Sequence, residues 1–133
     1  MSRTDASPFL RRVLLLDAGI SGATGVLLAL DAGALQHVLG LPPALLRYAG
    51  LALIPFAVLL VHLARRERLS PSSVWAVIAG NAAWVVASLA VLLTGWIEPN
   101  RLGTAFVVAQ ALAVAVLAEV EYAALRRSGA LVA

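Results

Sequence analysis

The sequence predicts an all-α fold, a four-helix transmembrane bundle with its N- and C-termini cytoplasmic. Three observations carry this. Of 133 residues, 62% are hydrophobic and 13% charged, whereas an ordinary soluble domain carries roughly 25% charged residues. Four apolar runs of 18 to 24 residues make up most of the chain, close to the roughly 20 needed to cross a hydrocarbon core about 30 Å thick. The arginines, finally, gather between alternate runs. A small soluble domain has too much surface to be covered by ten basic and seven acidic side chains, and a disordered chain would be poor in apolar residues. Without cysteine, disulfides, thiolate metal sites and cysteine redox chemistry are excluded.

The single domain 1–133 divides into spans at about 13–30, 44–63, 74–96 and 102–125. Arg3, Arg11 and Arg12 precede the first span, Arg65, Arg66 and Arg68 lie between the second and third, and Arg126 and Arg127 follow the fourth. Only Arg47 and Arg101 fall on the other side. Basic residues are retained in the cytoplasm, so the termini and the 64–73 loop are expected there. The sequence pI of about 10.6 then reports orientation. It predicts the bilayer with its anionic headgroups as the partner and no nucleic acid, since no basic face interleaved with aromatics exists. A rival reading takes Arg11-Arg12, the first apolar run and Ala32-Gly33-Ala34 as a cleaved signal peptide. Asp17 inside the run, and the odd number of spans left after cleavage, favour an uncleaved helix.

Boundary signals follow in order. Ser7-Pro8 and Ser70-Pro71 have the form of an N-cap followed by proline at the first helical position. Asp31 to Gly40 reads as a short interfacial helix with Leu35, Val38 and Leu39 on one face, or else as an ordinary outer loop. Pro42-Pro43 start the second span, and Pro55 removes the N–H partner of the Leu51 carbonyl. Trp75 and Trp96 sit near opposite ends of the third span as interfacial anchors, and Asn100 caps the fourth. In the first span, Ala18, Ser21, Gly22 and Gly25 have the small-residue spacing that allows close helix approach. The two hairpins, each ending in Arg-Arg, with Ala18-Gly19 matched to Ala79-Gly80, also hint at a duplication.

Ionisable groups inside a span cost several kcal/mol unless partnered, and each is a candidate functional residue. At about 1.5 Å per residue, Asp17 lies some 7–8 Å inside the cytoplasmic end, Asn81 about 12 Å and Glu119 about 10 Å. Asn81, Trp84 and Ser88 share one helix face. Asp17, Asn81, Trp84, Ser88 and Glu119 are therefore expected to form an intramembrane polar cluster. As a functional site, it would be a pocket open to the cytoplasm that binds protons or cations. As a structural one, Asp17 would pair with Arg12 or Arg66, Glu119 with Arg126 or Arg127, and Asn81 would join helices. Glu119 and Glu121 are about 200 degrees apart on a helix. The row Ala111, Ala115, Glu119, Ala123 selects Glu119 as the inward one, although Glu121 shares its face with Gln110.

His37 and His62 lie on opposite sides and cannot share a metal, no cofactor motif is present, and no catalytic constellation appears. The expected function is accordingly non-enzymatic: an accessory or structural subunit acting by helix–helix association, as a homo-oligomer or within a larger complex. The alternative is a small proton- or cation-coupled transporter or channel subunit with its polar site in the cytoplasmic half. A lipid or quinone enzyme has only the Asn81/Trp84 face behind it. Asp17-Ala-Gly with Gly22 and Gly25, Leu39-Gly-Leu-Pro, and Gly80-Asn-Ala-Ala-Trp84 with Ser88 resemble an uncharacterised family of small four-span bacterial integral membrane proteins. That resemblance implies the architecture and a bacterial inner membrane, and it transfers no activity.

Overall fold

The computed structural model describes residues 4–5 and 8–132, with side chains over 8–127. Five helices are present: α1 (Pro8–Leu30), α2 (Ala32–Leu39), α3 (Pro43–Ala64), α4 (Pro71–Leu93) and α5 (Arg101–Val132). Four of them, over Pro8–Leu30, Pro43–Ala64, Pro71–Leu93 and Arg101–Arg127, are long and apolar enough to cross a membrane. A helix satisfies its own backbone hydrogen bonds, which lipid cannot do for it. The expected all-α transmembrane bundle is what the chain forms. Away from the helices, Thr4 and Asp5 pair antiparallel with Leu69 and Arg68. The proposed cap Ser7 lies outside the described residues.

The helix starts follow the proline signals. Pro42 is extended (φ −60°, ψ 133°) and Pro43 opens α3; Ser70 is likewise extended (φ −68°, ψ 131°) before Pro71. Ser70 does not cap through its side chain, because its hydroxyl is bonded to that of Ser72 at 2.6 Å. Helix α3 runs through Pro55 without a break. The short interfacial segment is indeed helical, ending on Gly40 in the left-handed region (φ 67°), where glycine carries no Cβ penalty. Ala32 and Leu39 are its buried residues, while Val38 is exposed. The third span ends at Leu93, three residues earlier than expected from the apolar run, and Trp96 lies beyond the helix, exposed. Glycine at position 95 with φ 75° turns the chain there.

Asn100 fastens the end opposite the termini. Its Oδ1 accepts from the Gly103 N–H (2.8 Å) and caps α5, while its Nδ2 donates to the Val38 carbonyl (2.9 Å) and its own N–H to the Leu39 carbonyl (3.2 Å). The last turn of α2 is thereby held against the first turn of α5.

Helix α1 packs most extensively on α3 and α4 on α5, and the two pairs join through α1 and α5. The α1–α3 crossing is built on glycine: a Cβ at Gly50 would lie 2.6 Å from both the Ala29 nitrogen and the Gly25 carbonyl oxygen. Two apolar clusters stack along the bundle. One, at the end of the termini, contains Leu10, Leu14, Leu60, Val74 and Leu125; the other, at the far end, contains Leu28, Leu39, Leu41, Leu46 and Val107. Polar side chains occupy the level between them.

Candidate functional site

Asp17 on α1 is a buried carboxyl, 1% exposed. It accepts from the Ser21 hydroxyl (2.9 Å), one turn along the same helix, and from the Asn81 amide on α4 (2.9 Å). The same Asn81 nitrogen donates to Glu121 on α5 at 2.7 Å. Both amide protons are thus committed, each to a different carboxyl group, which sets the two carboxyls around one nitrogen. Ser21, Asn81 and Glu121 are buried as well, Glu121 completely. The second Glu121 oxygen, Oε2, is buried and has no hydrogen-bond partner.

No described arginine meets either carboxyl group. Arg11 donates instead to the Arg66 carbonyl (3.2 Å), Arg126 lies over the Tyr122 ring and Arg127 over that of Phe9. The expected Asp17–Arg12 and Asp17–Arg66 pairs do not form. Two acidic groups therefore share one neutral amide with no cation paired to them among the described residues. Like charges so placed cannot both be ionised without a large electrostatic cost.

Three expectations need correcting. Glu121, not Glu119, joins the cluster; Glu119 is exposed and pairs with neither Arg126 nor Arg127. The buried stripe of α5 runs through Gly103, Val107, Ala111, Leu117, Glu121, Ala124 and Leu125, and Glu121 follows Gln110 on it by 11 residues, about three turns. The alanine row misled because alanine is common on every face of this helix. Second, Trp84 and Ser88 form a separate group. The Trp84 indole donates to the Gln110 Oε1 (2.8 Å), Gln110 donates to the Ser88 hydroxyl (3.1 Å), and Ser88 donates to the Trp84 carbonyl (2.7 Å). Third, the carboxyl cluster is not open toward the termini: Leu10, Leu14, Val74, Val77 and Leu125 close that end with buried apolar side chains. Of the residues that the sequence reading missed, Gln110 and Glu121 were marked by their common face; Ser21 was marked by its i,i+4 position from Asp17.

Arg11, Arg12, Arg65, Arg66, Arg68, Arg126 and Arg127, which the sequence marks as candidates for orienting the chain, lie near the helix ends on the side of the termini. No group of three His, Cys, Asp or Glu able to hold a metal occurs among the described residues. The sequence matches no protein-family model, no curated protein and no solved structure.

Proposed function

We propose that this multi-pass membrane protein is a non-enzymatic proton-binding protein, in which Asp17 and Glu121 hold one proton between them on the Asn81 amide, as in the occluded state of a small proton-coupled carrier. The observation that carries this reading is the unpartnered, fully buried Glu121 Oε2 beside a second carboxyl group. One proton would neutralise the repulsion and give that oxygen or its neighbour a donor. The apolar plug formed by Leu10, Leu14 and Val74 keeps water out, and exchange requires it to part. The arginine asymmetry supports cytoplasmic termini with anionic headgroups at that face, and the resemblance of the sequence to small four-span bacterial membrane proteins supports a bacterial inner membrane.

Proton flux into vesicles tests the reading. Flux driven by a pH gradient is expected in the wild type and in Glu119→Gln, and lost in Asp17→Asn and Glu121→Gln that still assemble. Equal flux in all four proteins would overturn it. An accessory role through helix association is the second reading, favoured by α4, of whose span only 11% is buried within the chain. Mass measurement in lipid particles tests this: a discrete oligomer that Ala83→Leu and Ala90→Leu dissociate supports association, and a monomer throughout contradicts it.

A further inference from the structure

Between the two helix pairs, toward the end away from the termini, lies a cavity of about 330 Å³, within the range of small-molecule sites. Its walls are almost wholly apolar, with Leu28, Leu46, Val91 and Phe106 among them. Trp84, Ser88 and Gln110 also line it. Helices α3 and α4 are not among the closely packed helix pairs, and their lining residues Tyr48 and Ala87 are exposed. The cavity is therefore open sideways, toward lipid.

The hydrogen-bond inventory of the polar group sets what it can recognise. The indole N–H of Trp84 is committed to Gln110, both amide protons of Gln110 are committed to Ser88 and to the Val107 carbonyl (2.9 Å), and the Ser88 proton is committed to the Trp84 carbonyl. Every donor of these three residues is used; the hydroxyl groups of Thr24 and Tyr48 also line the cavity. An amide oxygen has two lone pairs and so does a hydroxyl, so Gln110 Oε1 and Ser88 Oγ each retain acceptor capacity. We infer that this cavity is a binding site for an uncharged, largely apolar molecule that enters from the bilayer and carries one hydrogen-bond donor, such as a hydroxyl group. The site is separate from the Asp17–Glu121 pair and does not depend on its protonation.

The probe pair is para-bromophenol and para-bromoanisole, which differ in the donor and share a bromine that quenches indole fluorescence on contact. The protein is the full chain in vesicles with Trp75→Phe and Trp96→Phe, so that Trp84 alone of the three tryptophans reports. Bromophenol is expected to quench saturably, and bromoanisole roughly tenfold more weakly, the effect of one neutral hydrogen bond. Ala87→Phe, which fills the cavity from α4, should abolish the saturable component, and Ala49→Phe should do the same from α3 if the first variant fails to assemble. Linear quenching by both probes would overturn the proposal as simple partition into lipid. Equal saturation by both would also overturn it, marking a slot for a lipid acyl chain, and so would saturable quenching that survives the filled cavity.

Discussion

Asn81 is the residue on which the interior depends, because a single amide nitrogen holds carboxyl groups from two other helices. Replacing it with leucine removes both donors and leaves two more buried acceptors unmatched. A buried polar atom deprived of its partner costs about 1–3 kcal/mol. Asn81→Leu should therefore lower stability by about that amount per acceptor, read as the unfolding midpoint in detergent. Combining it with Glu121→Leu and Asp17→Leu should recover part of the loss, since the stranded acceptors go with it. A triple variant no more stable than Asn81→Leu would contradict this account. Gln110→Leu predicts a different outcome: Trp84 loses the acceptor for its indole N–H, so its emission should change while the carboxyl cluster stays intact.

Glycine positions decide the geometry between elements. At Gly50 a Cβ would strike the backbone of α1, and at Gly103 it would strike the Leu39 carbonyl, whereas at Gly19 it would meet nothing. Gly50→Ala and Gly103→Ala should destabilise the bundle, while Gly19→Ala should be neutral or stabilising by up to about 1 kcal/mol, the helix-propensity difference. Thermal unfolding of the three variants in one detergent checks the order, and a destabilised Gly19→Ala would count against the packing described. Element existence was legible because a span must be apolar over its whole length, and helix starts were legible from Pro43, Pro71 and Asn100. Rotation of α5 was not. Its alanines and valines occupy all faces in lipid, so the hydrophobic periodicity that orients a soluble helix is nearly absent, and the choice between Glu119 and Glu121 rested on two competing rows. The 11-residue interval from Gln110 to Glu121 held the answer, but only the positions of Trp84 and Asn81 on α4 make that row the inward one.

For the whole molecule, charge asymmetry and the buried cluster make separate claims. The chain has no native cysteine, so single substitutions at Glu67 and Glu98, on opposite ends of the bundle, report orientation without background. A cytoplasmic placement of the termini predicts that an impermeant thiol reagent applied outside cells labels Glu98→Cys and spares Glu67→Cys; the reverse pattern would invert the topology. Candidate residues for the interior were legible as a set, Asp17 and Asn81 among them, because ionisable and amide groups stand out in an apolar span. Their closure behind Leu10, Leu14, Val74 and Leu125 was not, since it depends on how three helices converge. The central claim is that the pair holds a proton in that closed interior. Infrared spectroscopy at neutral pH in an ester-free detergent tests it most directly. The account predicts a protonated-carboxyl band that Glu121→Gln removes and Glu119→Gln leaves unchanged; absence of that band in the folded wild type would contradict it.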